Sequence, residues 1–441
     1  MFRSSSKARN VVHLGLGFIC VFFAFNSQGF IEETVIDNAS KSGNINKHAG
    51  YYSLAIIYAF SMATNIMVAP LVDMLGPRWS MFGGGFMYTL FQIGMLFLNE
   101  TYLYVSSALL GIGSAFIWTG QGKYLSLNTT KRTAGRNSGL LWGMLQTSLV
   151  GGGIFLFAIF SGSNSNNIDK KQRQIIYGVF SAVSLIGNIL LLLLPMPEPN
   201  EDDDENASEL PKQKLSQFEV ITGAFRLLIT PHMILLVVAF IYTGLELSYW
   251  SGVYSTAISR TKNFHFNTHK IVALNAICQG VGQIVGGLCF GIFGDKFRRF
   301  GRHPIVITGY LAHLICYALS FINLPFGTTI RDDYDAYIHP SIALALIVGV
   351  LLGFGDAAWN TQMYSLLIGI YSDRIAQAFS IMKFFQAAAA CGAFFYTSAI
   401  TLQWILLILL ITSTIGLCCF TYVELSTRRQ SQIDSAKNEA S

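Results

Sequence analysis

The sequence predicts an all-α membrane protein of twelve transmembrane helices, arranged as two six-helix halves. Three observations predict it. The chain is 52% hydrophobic and 12% charged, where soluble domains carry about a quarter charged residues. Twelve apolar stretches come close to the roughly 20 residues a helix needs to cross the hydrocarbon core. One long polar interruption follows the sixth. A membrane barrel would show short segments of alternating polarity instead, so helices are the spanning structure that fits.

Taken in order, the first stretch, 11–31, follows Arg3, Lys7 and Arg9 in the manner of a signal peptide. It runs past Gln28 without a small-x-small cleavage site, so it reads as a retained signal anchor, and no lipidation signal accompanies it. The next five lie at 51–72, 79–98, 102–122, 137–160 and 175–194, which makes 1–194 an amino-terminal six-helix bundle. Residues 195–230 are a cytoplasmic linker: Pro195, Pro197 and Pro199 lead into Glu201-Asp202-Asp203-Asp204-Glu205 and then Lys212 and Lys214. Within it Leu215, Phe218, Ile221, Phe225 and Leu228 recur at helical intervals, predicting a surface helix over 215–229. Upstream of Leu215 a disordered tether is the competing reading. The remaining stretches, 232–257, 271–293, 304–322, 340–364, 375–398 and 402–423, place a carboxy-terminal bundle at 231–423 and a cytoplasmic tail at 424–441.

Charge orients the chain. With the amino terminus in the cytoplasm, 19 of the 29 Lys and Arg residues fall on that side and 9 outside, Lys383 lying within a stretch, as the positive-inside rule expects. Both termini are then cytoplasmic. The densest basic patches, Lys131/Arg132/Arg136 and Lys296/Arg298/Arg299/Arg302, lie inside, with Lys170/Lys171/Arg173 an external exception. All seven cysteines fall within the stretches, where a thiol is a small apolar group, so neither a disulfide framework nor a metal site is expected. Of the sequons at Asn38, Asn99, Asn128 and Asn206, only Asn38 stands in an external loop clear of the bilayer. It is the expected N-glycosylation site.

Two loops repeat one pattern. After the second stretch the chain reads Ala69-Pro70-Leu71-Val72-Asp73-Met74-Leu75-Gly76-Pro77-Arg78, and after the eighth Gly291-Ile292-Phe293-Gly294-Asp295-Lys296-Phe297-Arg298-Arg299. Each sets an acid at a helix end before basic residues, where the acid can pair with a base and with the positive end of a neighbouring helix. One copy alone is explained as well by an acid capping a helix in water. Two copies at corresponding places point to a duplicated transporter fold. The loops resemble the Gly-x-x-x-Asp-Arg/Lys-x-Gly-Arg-Arg signature of the major facilitator superfamily. The second keeps Gly291, Asp295, Lys296 and Arg299; the first keeps Asp73, Gly76 and Arg78 but has Met74 where a base is usual. The resemblance implies two pseudo-symmetric bundles with Asp73, Arg78, Asp295, Lys296 and Arg299 as a conformational latch.

Two acids sit deep in apolar stretches, Glu246 in the seventh and Asp356 in the tenth. A charge at such depth costs on the order of 3 kcal/mol, so a cavity, an ion path or a partner is expected. Lys383 in the eleventh reaches a similar depth to Asp356, at about 1.5 Å of rise per residue. A structural Asp356 to Lys383 ion pair and a transport role are the two readings of that pair. Glu246 has no evident basic partner at its depth and is the better proton or cation candidate. Asn26 and Gln28 in the first stretch, Gln121 in the fourth, and Asn360 and Gln362 in the tenth add polar groups. The superfamily resemblance implies that helices one, four, seven and ten line a central cavity. Hydrogen bonding between helices explains each amide taken alone. Lys123 is expected to snorkel to the cytoplasm. Gly280, Gly282, Gly286, Gly287, Gly291 and Gly294, and Gly151-Gly152-Gly153, read as close helix packing. No Gly-Lys-Ser/Thr follows the first set, and the second lacks the proline of the superfamily's antiporter motif.

Several further segments resemble the uncoordinated-93-like branch of the superfamily. They are Trp118-Thr119-Gly120-Gln121-Gly122-Lys123-Tyr124-Leu125, Gly135-Arg136-Asn137-Ser138-Gly139 with Trp142 and Gln146, residues 242–254, and Gly355-Asp356 with Asn360-Thr361-Gln362. This resemblance implies one of two roles. The first is alternating-access transport of a small solute or ion, with Glu246 as the coupling acid. The second is a non-transporting regulatory or trafficking subunit of another membrane protein, such as an ion channel or receptor. An enzyme is disfavoured, since no nucleophile and base pair or metal cluster is recognisable. No cofactor and no nucleic-acid partner is expected; the expected partners are the lipid bilayer, a small solute or ion, and in the second role a membrane protein. Tyr422-Val423-Glu424-Leu425 has the form of a sorting signal, with a helix end as the competing reading, so plasma membrane and endomembrane both stay open.

Overall fold

The computed structural model describes residues 5–32, 35–36, 45–46, 49–130, 133–161, 170–195, 217–297, 301–397 and 399–440. They form α1 (Ser5–Gly29), α2 (Ala49–Asn65), α3 (Val68–Leu75), α4 (Pro77–Phe97), α5 (Glu100–Leu127), α6 (Ala134–Ser161), α7 (Lys170–Leu192), α8 (Gln217–Leu228), α9 (Pro231–Ser248), α10 (Tyr254–Arg260), α11 (Thr268–Phe297), α12 (His303–Asn323), α13 (Ile342–Ile370), α14 (Ile375–Thr397) and α15 (Leu402–Ala440). Helix starts follow local chemistry. Pro77, Pro231 and Pro304 occupy first-turn positions that need no N–H. Asn99 Oδ1 accepts from the Tyr102 N–H at 3.0 Å and caps α5. Among the described residues the β contact is one isolated bridge, Thr261 to Asp333.

Among the described residues ten helices are long and apolar enough to cross a bilayer, or eleven if α2 and α3 form one span bent by 71°. Their outer faces carry Leu16, Val105, Ile186, Leu193, Ile234, Leu311, Ile315 and Ile411 exposed. Such a surface needs lipid as its solvent, and the chain is a multi-pass integral membrane protein. The second stretch, expected over 51–72, is bent within its length. Pro70 has no N–H for the Ile66 carbonyl and its ring crowds that oxygen, so the helix breaks at Ile66 and Met67. The Asn65 side chain competes as well, donating to the Ser61 carbonyl at 2.8 Å. α4 occupies the expected third span, and Gly83, Gly84, Gly85, Thr89 and Gln92 leave it below that apolarity. It still packs against α5 and α7.

Two long seams, α6 on α11 and α2 on α14, join helices before residue 195 to helices after 230. Glycines make the first seam possible. A Cβ on Gly287 would stand 2.7 Å from the Gly143 nitrogen and one on Gly153 2.7 Å from Ile277 Cγ1. The glycines of α11 and α6 therefore serve close backbone approach. At the end of the bundle where Pro195 and Thr230 lie, here the linker end, α8 rests on α3 and α14 with Leu227 buried and Phe225 exposed. Residues 196–216 lie outside the described residues. α15 passes through Val423 and continues to Ala440, and Tyr422 to Leu425 are helix interior.

Candidate functional site

Midway along the bundle lies a cavity of about 150 Å³. One wall is aromatic: Phe22 and Phe25 of α1, Tyr58 of α2, Tyr88 of α4 and Trp118 of α5. These rings pack at an angle, Phe22 tilted on Trp118 at 5.0 Å and Phe25 edgewise on Tyr88 at 4.9 Å between centroids. Its polar lining is Asp356 and Asn360 of α13 and Lys383 and Gln386 of α14. Past Leu247 the seventh stretch leaves α geometry for a π turn over Tyr249–Val253 before resuming as α10. Ser251 in that turn, its Oγ on the Leu247 carbonyl at 2.6 Å, borders both this cavity and a larger one of about 680 Å³. The larger cavity is lined by Glu32, Arg260, His269 and Asp332 at the end opposite the linker.

Asp356 Oδ1 accepts from Asn360 Nδ2 at 2.8 Å, while Oδ2 is buried and receives no N–H. The carboxyl of Glu246 lies within hydrogen-bonding reach of Asp356. Two carboxyls so placed make a favourable contact when a proton lies between them and repel when neither holds one. The expectation that Glu246 lacks a basic neighbour is corrected: His313 Nε2 of α12 stands 3.6 Å from Glu246 Oε1. That nitrogen also meets the Leu352 carbonyl at 3.2 Å. A carbonyl only accepts, so Nε2 carries the hydrogen, and in the neutral ring Nδ1 accepts from the Tyr242 hydroxyl. Tyr242 in turn accepts from Tyr317 at 3.0 Å. His313 was overlooked in the sequence; a lone imidazole within an apolar stretch was its signal.

No Asp356 to Lys383 ion pair is found among the described residues. The depths match, but the ammonium is taken up elsewhere: Lys383 Nζ donates to Gln386 Oε1 at 2.7 Å and lies over the Trp118 ring at 4.5 Å and Tyr364 at 5.5 Å. Asn26 lines the cavity and donates to Ser148 Oγ at 3.3 Å. Gln28, bonded to Glu32 at 3.1 Å, Gln121, and Gln362, bonded to Thr361 at 3.2 Å, are buried in helix contacts away from it.

At the first loop Asp73 of α3 pairs with Lys123 of α5. Lys123 therefore does not snorkel freely; the bend at Pro70 carries Asp73 to it, and it supplies the base absent at Met74. Arg78 takes no part, donating instead to the Leu194 carbonyl at 3.5 Å and lying over Trp79. In the second loop the side chains of Asp295 and Lys296, and Arg299 as a whole, lie outside the described residues, as does Asn38. Arg302 beside them binds Glu424 of α15 at 2.9 Å and Ser365 of α13 at 2.9 Å.

The family model described as "Ion channel regulatory protein UNC-93" matches residues 41–421. UNC93-like protein MFSD11 of Xenopus tropicalis is 35% identical over 450 residues, covering 99% of this chain and 100% of that protein. Protein unc-93 homolog A of Bos taurus is 22% identical over 461 residues, covering 96% of this chain and 94% of that protein. Among solved structures, the E. coli fucose:proton symporter FucP covers 95% of this chain and 99% of its own, with a TM-score of 0.64 at 15% identity. A second structure of FucP, a major facilitator superfamily transporter in the outward conformation, aligns at a TM-score of 0.60 and 16% identity. The fold is that of the superfamily, and by its match over most of its length the chain belongs to the UNC-93 family.

Proposed function

We propose that this protein moves a small solute across a membrane by alternating access, coupled to protons through Glu246 and Asp356. The observation that carries the reading is the pair of buried carboxyls beside the central cavity, one of which lines it. A proton held between them favours the closed contact; its loss leaves two like charges in an apolar surround, so proton occupancy and helix arrangement are linked. In this reading the chain comprises a six-helix bundle at 1–194, a linker at 195–230 and a second bundle at 231–423, with α4 as the twelfth span. Both termini are cytoplasmic, the 680 Å³ cavity faces outward, and Asp73 with Lys123 helps hold the cytoplasmic end closed. Charge asymmetry and the FucP-like fold support it; FucP itself is a proton symporter.

The test is solute uptake into proteoliposomes, comparing wild type with Glu246→Gln. With one proton moved per solute, a pH gradient of about one unit supplies about 1.4 kcal/mol and supports about tenfold accumulation. Glu246→Gln is expected to keep downhill exchange and lose accumulation. An absence of flux across a broad panel, with a channel or receptor co-purifying, would sink the transport reading. It would leave the regulatory role that the family's description as an ion channel regulator favours.

A further inference from the structure

The unpartnered polar atoms around the 150 Å³ cavity are of two kinds. Asn360 Oδ1 and Gln146 Oε1 are buried acceptors without a hydrogen bond, Asp356 Oδ2 is a buried acceptor that receives no N–H and belongs to the carboxyl that Glu246 approaches, and Trp250 Nε1 is a buried donor without a hydrogen bond. Lys383 adds an ammonium that gives one hydrogen to Gln386 and has two more. Buried polar groups in folded proteins are normally satisfied, so this concentration around one cavity points to a ligand. Three acceptors, one the Asp356 carboxyl, which keeps its charge when Glu246 holds the shared proton, match the three N–H bonds of an alkylammonium; two donors, one cationic, match a carboxylate. Asp356 and Lys383 share the lining without meeting as an ion pair, so a molecule carrying both charges completes each without first separating them. A neutral polyol would leave both charges unmatched, and a solute of one charge would leave one side orphaned. The cavity is smaller than the roughly 300–1,000 Å³ of drug-sized ligand sites, and Phe22, Phe25, Tyr88 and Trp118 complete its lining.

We infer that the central cavity takes a small zwitterion of the α-amino acid kind. Its ammonium lies at Asp356, Asn360 and Gln146, its carboxylate at Lys383 and Trp250, and its side chain against Phe22 and Trp118. The inference rests on reading this cavity as the transport site.

The test uses the full-length protein purified in detergent, with thermal stabilisation and tryptophan fluorescence as readouts, since Trp118 and Trp250 line the cavity. The probes are alanine, leucine and phenylalanine, with isocaproate and isoamylamine as leucine lacking one charge, and glucose as the polyol. Leucine is expected to bind about tenfold or more tighter than either single-charge analogue. Lys383→Met is expected to weaken leucine by a similar factor, and Lys383→Arg to retain most of the affinity. The inference is overturned if no amino acid binds, if glucose or a single-charge analogue binds as tightly as leucine, or if Lys383→Met binds leucine unchanged. The analogue comparison uses wild type, so it decides the matter even where a variant does not fold. Leucine that binds but is never moved in proteoliposomes would refute transport and leave the site. A neutral solute carried with protons while no amino acid binds would refute the zwitterion and leave transport.

Discussion

Arg302→Ala is expected to loosen the linker end where α12, α13 and α15 meet. Arg302 Nη1 donates to Glu424 Oε2 at 2.9 Å, its backbone N–H to Oε1 at 3.0 Å, and Nε to Ser365 Oγ at 2.9 Å. Glu424 is only 1% exposed, so truncating Arg302 takes the guanidinium from a buried carboxylate and leaves it the Arg302 backbone N–H, with Arg428 one helical turn on. Breaking a buried pair from one side costs about 3–5 kcal/mol. Arg302 is 25% exposed, which lets water reach the vacated space and places the loss at the lower end, about 3 kcal/mol. That is roughly a hundredfold in the folded-to-unfolded ratio. Thermal melting of the detergent-purified protein reads it directly. Adding Glu424→Gln to Arg302→Ala removes the buried charge and is expected to recover a good part of the loss. The reasoning fails if Arg302→Ala melts with wild type, or if the double variant melts no higher than the single one.

Gly287→Val should disrupt the α6 and α11 seam, because its Cβ would stand 2.7 Å from the Gly143 nitrogen and 2.9 Å from the Gly139 carbonyl. A loss of about 1–3 kcal/mol or more would appear as reduced monodisperse yield, with Gly83→Ala, whose Cβ meets nothing within 4 Å, as the unaffected control. Asp73→Lys or Lys123→Asp alone sets like charges together, and the double exchange restores the pair. With side chains 41% and 20% exposed, the pair is worth at most about 1 kcal/mol, so labelling of a cysteine introduced at the linker end should rise by no more than about fivefold. Asn38→Gln is expected to abolish the mass shift produced by a glycosidase and Asn206→Gln to leave it; the reverse would invert the orientation.

The helices were readable because lipid demands long apolar runs, and each departure traces to a local cause. The break at Pro70 was visible in principle, since a proline denies its carbonyl partner one turn earlier. The π turn was not: nothing in Tyr249-Trp250-Ser251-Gly252-Val253 separates it from an ordinary helical turn. Glu246 and Asp356 stood out as costly buried acids, but their meeting depends on how α9 and α13 are rotated about their axes. Depth is one coordinate of three, which is why it matched Lys383 to Asp356 while the ammonium turned to Gln386 and Trp118. Lys123 shows the same limit, for its partner arrives only through the bend between α2 and α3.

A π turn holds one residue more than the α turn it replaces, and an extra residue rotates everything beyond it by about 100°. The inner segment bearing Glu246 and the outer segment bearing Tyr254 and Arg260 are thus set at different phases of one continuous helix. Tyr254, whose hydroxyl meets the Ala345 carbonyl at 2.7 Å, and Arg260, which meets the Thr329 carbonyl at 2.9 Å, aim correctly only at that offset. Chain length between Glu246 and Tyr254 is therefore constrained more tightly than side-chain identity. A substitution there alters one contact, whereas a single-residue deletion would re-aim the whole outer segment.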